Sequence, residues 1–437
     1  MNALVVGGGA REHSIIYAIE KSTYDVKLYA AMGNRNPGIA RACEDFLICD
    51  VTNVDKISHY ASGKKIDLAI IGPEAPLNAG VTDSLEKLGI RVASPTRAAA
   101  QIECDKSFCR NLLKKHGISG SPEFGVFSDL GEASDFIDSV VSDIVVKPIG
   151  LTGGKGVKIV GEQLKDAGDA KKYVLEVIES KIGGSAMVVL EERLEGEECT
   201  IQAFTDGKTL VPMPLVQDHK RAYEGDTGPN TGGMGSYSDC DLLLPFIEKG
   251  EYEACIKIMS DTIKAIKEET GNPYKGILYG QFILTERGPY LIEYNCRFGD
   301  PEAMNVLPLL KTDFMEISEG IADGRLRNAD FENLATVCKY VVPSGYPENP
   351  TKNVKLTIGE IKDALLFYAS VNEELGEIFT TSSRSLAVVG IAESIANAEV
   401  KAEEALSKIT GEIHSRHDIG KKEIIQKRID HMNRLRG

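Results

Sequence analysis

The sequence predicts an α/β protein of several domains that opens on a doubly wound parallel sheet. Three observations predict it. Strand-like and helix-like segments alternate through the first hundred or so residues, as in a run of βα units. The 437 residues exceed what one hydrophobic core can serve, so two to four domains are expected. The pattern then changes character twice, near residue 104 and again near residue 335.

Leu4, Val5 and Val6 read as a first strand that runs into a glycine-rich turn and a helix over 14–21. Strands are expected at 26–30, 46–49 and 67–72, then a helix over 82–88 and a short strand at 92–93. Between 104 and about 325, short strands (143–147, 157–160, 187–191, 199–205) mix with helices and glycine-rich loops. Residues 225–235 hold five glycines around Pro229, Asn230 and Thr231, which predicts an irregular loop long enough to be functional. The last region has strands at 336–342 and 385–391, a turn over 343–350 and an amphipathic helix near 396–409.

Composition removes several function classes. With 26% charged and 42% hydrophobic residues the chain is an ordinary globular one. No apolar run approaches the ~20 residues that span a bilayer, and no basic-then-apolar leader opens the sequence, so a cytoplasmic protein is expected. Nine cysteines without a C-x-x-C pair predict reduced thiols, with neither a disulfide framework nor a structural zinc. A net charge of −15 disfavours nucleic acid and anionic membranes as partners. An anionic ligand would need positive charge gathered locally.

Four motifs carry chemistry. Gly7-Gly8-Gly9-Ala10-Arg11-Glu12-His13 is a strand-to-helix turn. It is not a dinucleotide fingerprint, because Glu12 stands where the third glycine belongs, and what survives is an anion site at a helix N-terminus beside Arg11. Gly150-Leu151-Thr152-Gly153-Gly154-Lys155-Gly156 is one residue short of a P-loop and has Gly156 where a Ser or Thr would meet Mg²⁺. Strands on both sides make it a hairpin, suited to cover a triphosphate with Lys147 and Lys155 offsetting charge. Residues 188–198 form a buried strand running into acids, able to offer backbone groups to an adenine edge and a carboxylate to ribose hydroxyls, although an acidic run is more often a solvated turn. In residues 290–302, Glu293 and Asn295 share one face of a strand, about 7 Å apart. Two hard oxygen donors completed by phosphate suit Mg²⁺, and Arg297 can reach a phosphate or carboxylate.

In this order the flap lysines, the Glu191-Glu192 hinge and the Glu-x-Asn strand resemble the ATP-grasp superfamily. Gly72-Pro73-Glu74-Ala75-Pro76-Leu77, Gln217-Asp218-His219-Lys220-Arg221, the 226–235 loop and Asn295-Cys296-Arg297-Phe298-Gly299-Asp300-Pro301-Glu302 narrow this. Together they resemble the phosphoribosylamine–glycine ligase family, nearly end to end. The resemblance implies a pre-ATP-grasp parallel-sheet domain (1–104), an ATP-grasp domain (105–325) with a mobile flap subdomain near 120–192, and a C-terminal α/β domain (326–437). It implies ligation of glycine to 5-phospho-β-D-ribosylamine through a glycyl phosphate, the second step of purine synthesis. ATP is the co-substrate, with Mg²⁺ or Mn²⁺ held by Glu293 and Asn295. Lys106, Lys147, Gly153, Gly154, Lys155, Gly156, Glu191, Glu192, Leu194 and Glu197 are implied around ATP. Gly8, Gly9, Arg11, Glu74, Asp218, Lys220, Arg297 and Asp300 are implied around substrates, with Lys155 and Arg297 catalytic.

The expected partners are small molecules only, and the expected state is a monomer or at most a weak homodimer. No appended domain is expected. Two departures from the family stand out: the Gly7–Gly9 turn lacks an Asn between its glycines, and Thr381-Ser382-Ser383-Arg384-Ser385 replaces a Gly-Gly-Arg-Val-like loop. The competing readings are another ATP-grasp carboxylate–amine ligase, a biotin-type carboxylase, and a nucleotide-binding regulator without chemistry.

Overall fold

The computed structural model describes residues 1–140, 143–152 and 156–437. The chain opens on a five-stranded, fully parallel sheet in the order Asp45–Ile48, Lys27–Met32, Asn2–Val6, Leu68–Ile71, Arg91–Val92. Such a sheet is covered on both faces, so its central strands are continuous apolar runs. Leu4 and Val6 point into one core with Ile57, Ala61, Val81 and Leu85, while Ala3 and Val5 point into another with Ile15, Ile16 and Ile19 of the Ala10–Glu20 helix. Val6 pairs with Ile71, so the Gly7–Gly9 and Gly72–Glu74 turns leave adjacent strands at the same carboxyl edge.

A second unit has a core of its own. Strands Phe124–Phe127, Val188–Glu192, Ile144–Pro148 and Lys158–Ile159 form an antiparallel sheet in that order. Helices Leu130–Ser139 and Ala167–Ser180 close it around Ala133, Ile137, Val146, Val174, Val177 and Leu190. The expected hairpin around the second glycine motif is present, with Val146 opposite Lys158.

The central sheet is antiparallel, ordered Leu210–Pro212, Glu197–Asp206, Lys275–Thr285, Gly288–Asn295. The 22-residue helix Lys249–Thr270 packs on one face, where Thr262 and Tyr294 join hydroxyls at 2.9 Å. The other face carries the candidate site. One irregularity matters: Gln281 pairs with Glu293 and Phe282 with Leu291, so Ile292 is the extra residue of a β-bulge.

A further sheet crosses the boundary expected near residue 325. Its order is Gln217–Asp218, Gly235–Ser238, Ala335–Pro343, Leu386–Ala392, Ala364–Tyr368, so a strand from the middle of the chain is hydrogen-bonded to one about a hundred residues later. Helix Ile395–Leu406 rests directly on this sheet at Gly390, where a Cβ would lie 1.9 Å from the Ala398 carbonyl oxygen. The final helix, Lys422–Arg436, returns to the central sheet. Residues 225–235 are more ordered than expected, since Thr227–Asn230 pairs with Arg221–Tyr223 as a two-stranded ribbon. All nine cysteines are free, and among the described residues no helix is long and apolar enough to cross a membrane.

Candidate active site

Alternation along the central strands gathers one polar face. Asn295 lies opposite Tyr279, Glu293 opposite Gln281, and Gln281 opposite Thr200, so their side chains share it. The Glu293 carboxylate is half-buried and is the focus of four cations. Burial alone would raise its pKa, but Lys220, Lys147, Lys106 and Arg297 together hold it below the ordinary carboxylate value. Among the described residues, no hydrogen bond or ion pair within 4.0 Å takes this carboxylate. Asn295 lies beside it and its Oδ1 accepts from Arg297 Nη2 at 3.0 Å.

Each cation is placed by a separate element. Lys147, on the strand entering the glycine hairpin, is 6% exposed and sits 2.6 Å from Glu191 Oε2. It also donates to the Ile292 carbonyl at 3.2 Å, as Arg110 does at 2.8 Å. The bulge that leaves Ile292 without an opposite residue thereby supplies an acceptor for two buried cations. Lys106 opens helix Lys106–Lys115 and donates to the Gly150 carbonyl at 2.9 Å, which ties that helix to the base of the glycine motif. Burial lowers the Lys106 pKa, although Glu293 pulls the other way. Lys220 lies 3.2 Å from Glu198, and burial, which lowers its pKa, is outweighed by Glu198, Asp218 and Glu293.

Arg297 forms a second centre with Glu74 at 3.5 Å and Glu103 at 3.2 Å. Burial would raise the Glu74 pKa, but Arg297 and Arg11 lower it. Glu103 also accepts from the Cys296 amide and thiol, and burial raises its pKa despite Arg297. Glu302, bound by the Tyr279 hydroxyl at 2.8 Å, is pushed up to about 7 by burial and then by the Asp218 charge. Burial raises Asp218 as well.

The acids of the third motif divide three ways. Both oxygens of Glu191 are held by cations, with Arg110 at 2.7 and 3.0 Å joining Lys147. Burial opposes that ionisation, yet the two cations keep its pKa down to about 2. So paired, Glu191 fixes Lys147 and presents no free carboxylate to a ribose, unlike the sequence-based expectation. Glu192 turns to Arg287 at 2.9 Å and the Glu123 amide at 3.0 Å, and Leu194 lies half-buried in the connection that follows. Glu197 also departs from expectation: its side chain points to the C-terminal helix, 2.6 Å from His431 and 3.2 Å from Arg428. Its neighbour Glu198 falls on the site face instead, bonded to Lys220 and Gln281.

The edge of the parallel sheet behaves differently from the sequence reading. Arg11 is 8% exposed, its Nε lies 2.6 Å from Glu12, and its Nη1 donates to the Phe298 carbonyl at 3.3 Å. Its charge is therefore committed to Glu12 and is no free phosphate anchor. Glu12 lies under both turns, and a Cβ on Gly7 or Gly72 would come within 2.6 or 2.1 Å of its side-chain atoms. The Gly8 carbonyl accepts from the Asn36 side-chain amide, and Gly9 faces Asp300, whose carboxylate would lie 3.8 Å from a Cβ there. Asp300 accepts from Tyr340 and lies 3.3 Å from Arg384. That arginine, from the divergent 381–385 segment, donates to the carbonyls of Gly232, Gly233 and Asp300 and stacks on Tyr340. Gly156 accepts from the buried Tyr173 hydroxyl at 2.7 Å, while Gly153, Gly154 and Lys155 lie outside the described residues.

Arg110, Glu12, Glu103, Glu198 and Arg384 escaped the sequence reading. Arg110 had a signal, since it follows Lys106 by four positions on one helix and so shares its face. Glu198 had one in the period of two along a strand. Glu12, Glu103 and Arg384 act through contacts between distant segments, which no local pattern reports.

The divalent ion that the resemblance implies fits this donor set. Glu293 is ionised and uncommitted, and Asn295 adds a neutral oxygen on the same face. Among the described residues no group of three or more His, Cys, Asp or Glu that could hold a metal ion occurs.

Comparison with known proteins agrees along the length of the chain. Residues 1–103, 104–303 and 336–422 match the N domain, the ATP-grasp (A) domain and the C domain of phosphoribosylglycinamide synthetase. The phosphoribosylamine–glycine ligases of Methanocella arvoryzae and Methanosarcina barkeri are 54% and 55% identical over 439 residues, covering all of both chains. The solved phosphoribosylamine–glycine ligase of Thermotoga maritima superposes with a TM-score of 0.82 at 27% identity, over 96% of this chain and 100% of that one. A biotin carboxylase from Campylobacter jejuni shares the fold alone, at a TM-score of 0.76 and 13% identity over 99% and 98% of the two chains. The chain belongs to the phosphoribosylglycinamide synthetase family.

Proposed function

We propose that this protein joins glycine to 5-phospho-β-D-ribosylamine at the expense of ATP, in the second step of de novo purine synthesis. The observation that carries the reading is the uncommitted, ionised Glu293 beside Asn295, ringed by Lys106, Lys147, Lys220 and Arg297. A glycine carboxylate resists an amine until one oxygen becomes a leaving group. Phosphoryl transfer from ATP makes it one, as a glycyl phosphate, and the amine then displaces phosphate. The protein's share of such a step is positioning and neutralisation of spreading charge.

Glu293 and Asn295 would hold Mg²⁺ or Mn²⁺, which when bound neutralises phosphate oxygens. Lys147 and Lys106 flank the triphosphate, with Glu191 and Arg110 fixing Lys147 from behind. Lys155 and the glycines before it enter this reading through their sequence motif. Arg297 faces the reacting carboxylate, held at its own angle by Glu74 and Glu103. Asp218, Lys220 and Asp300 line the acceptor side, with Gly8 and Gly9 at the helix N-terminus. Glu302, raised by burial to about 7, is suited to take the proton that the amine loses. The unit around 120–192 serves as a flap, since an acyl phosphate must be kept from water. The net charge of −15, which repels nucleic acid and anionic membranes at long range, supports small molecules as the partners.

The test is ADP release with phosphoribosylamine generated in situ. Release that requires both glycine and the amine supports the reading. Release driven by bicarbonate, or none under any combination, overturns it. Glycine labelled with ¹⁸O in its carboxylate should send one label into phosphate per product, and unlabelled phosphate would exclude the acyl phosphate.

A further inference from the structure

The C-terminal helix holds a cluster that this mechanism does not use. Asp226, in the left-handed region at φ 57°, opens the glycine-rich ribbon. Its carboxylate meets three cationic or ionisable side chains: His219 Nδ1 at 3.2 Å, the fully buried Arg416 at 2.8 Å, and Arg428. Arg428 reaches the other way to Glu197 at 3.2 Å, the residue that starts the central strand bearing Glu198, Thr200 and Gln202. One guanidinium thus spans two carboxylates on separate segments, its two terminal nitrogens each meeting one of them in a fixed planar fork.

From Asp226 the connections continue to the site. The His219 amide donates to Gly235 and the Met234 amide to the His219 carbonyl. Thr231 binds the Lys220 carbonyl with its amide at 2.7 Å and its hydroxyl at 2.8 Å. Lys220 reaches the site face at Glu198, 3.2 Å away, whose other partner Gln281 lies opposite Glu293. We propose that Arg428 is a positioning residue of the ligase site: by clamping Asp226 to Glu197 it fixes the ribbon that sets Lys220 on the face bearing Glu198 and Glu293. This rests on the roles given above to Glu293 and Lys220.

The experiment compares Arg428→Ala, Arg428→Lys, Asp226→Asn and the double variant R428A/D226N in the full-length protein. The expected result is a roughly 10-fold fall in kcat for Arg428→Ala, the size of one lost charge-assisted contact, with the KM for ATP within about twofold of wild type. Arg428→Lys, which keeps the charge but loses the rigid fork, should recover part of the loss. The double variant should be no worse than the poorer single one, because both cut the same link. Amide exchange on the free protein should quicken in residues 219–235 and not in the parallel sheet. Wild-type kcat in Arg428→Ala sinks the proposal. So does a common shift in kcat, ATP KM and exchange along the whole chain, the mark of a merely structural residue. Should Arg428→Ala fail to fold, the Arg428→Lys exchange map decides, with no local quickening overturning the idea. Exchange is read without substrates, so an unimpaired Glu293→Gln enzyme would refute the metal role while leaving the clamp separately judged.

Discussion

Glu191 holds two buried cations, and its loss would strand both. Glu191→Gln keeps the shape while leaving Arg110 and Lys147 without their counter-charge. Breaking one side of a buried ion pair costs roughly 3–5 kcal/mol, so the urea midpoint should fall by that equivalent, and an unchanged midpoint would show the pair to be dispensable. Glu293→Ala is the converse case. It removes a carboxylate that no ion pair or hydrogen bond among the described residues takes, so the fold should hold while turnover drops at least ~10²-fold, measured as glycine-dependent ADP release at several metal concentrations. Acid should reveal two residues in turn. His13, whose Nδ1 accepts the Tyr368 amide, is lowered from 6.5 to about 4 by burial and then Arg41. Its unfolded form binds the proton first, so its stabilisation is complete above about pH 6.5 and is lost as pH falls towards 4. Glu191, lowered from 4.5 to about 2, gives way only below pH 4.5. Thermal midpoints of His13→Gln against wild type should therefore diverge in pH slope between 6.5 and 4, and parallel slopes would clear His13. Single residues were also where the sequence misled. Glu197 and Glu198 are chemically alike and adjacent, and only the pleat decides that the second faces Lys220 while the first faces His431.

Elements were more legible because their signals are local. Buried apolar runs marked the parallel strands, and flanking strands marked the glycine hairpin. The bulge at Ile292 left no such mark, since it is a mismatch between two strands and neither sequence alone contains it. The ribbon at Thr227–Asn230 was hidden in the same way by its glycines and proline. Close packing of elements gives a further prediction. Helix Ile395–Leu406 touches its sheet at Gly390, and a methyl there would meet the Ala398 carbonyl oxygen. Gly390→Ala should cost ~1–3 kcal/mol as the helix lifts away. The molecules that remain folded should keep wild-type kcat, because this contact lies outside the site. Calorimetry beside an activity assay distinguishes that from a variant whose chemistry also fails.

At the scale of the whole molecule, the unit proposed as a flap has a hydrophobic core separate from the others. Its core draws only on its own helices and strands, while the cores around the parallel sheet reach into the central sheet as well. Local opening follows such divisions, so amides in the unit should exchange faster than those of the central sheet, and ATP with Mg²⁺ should slow them. Equal protection with and without nucleotide would argue against a closing flap. The glycine-rich motifs and the Glu293–Asn295 strand led the sequence reading to expect nucleotide and metal, but nothing local announced that Arg384 would reach Gly232, Gly233 and Asp300, since that rests on contacts between residues far apart in the chain. The pairing of Gly235–Ser238 with Ala335–Pro343 has its own outcome during synthesis. On the ribosome the earlier strand emerges with an open edge and must wait for about a hundred residues, or roughly 5–20 s of translation. Through that interval the nascent ligase offers a bare β edge to any neighbouring chain, which makes translation speed between residues 238 and 335 a determinant of its yield.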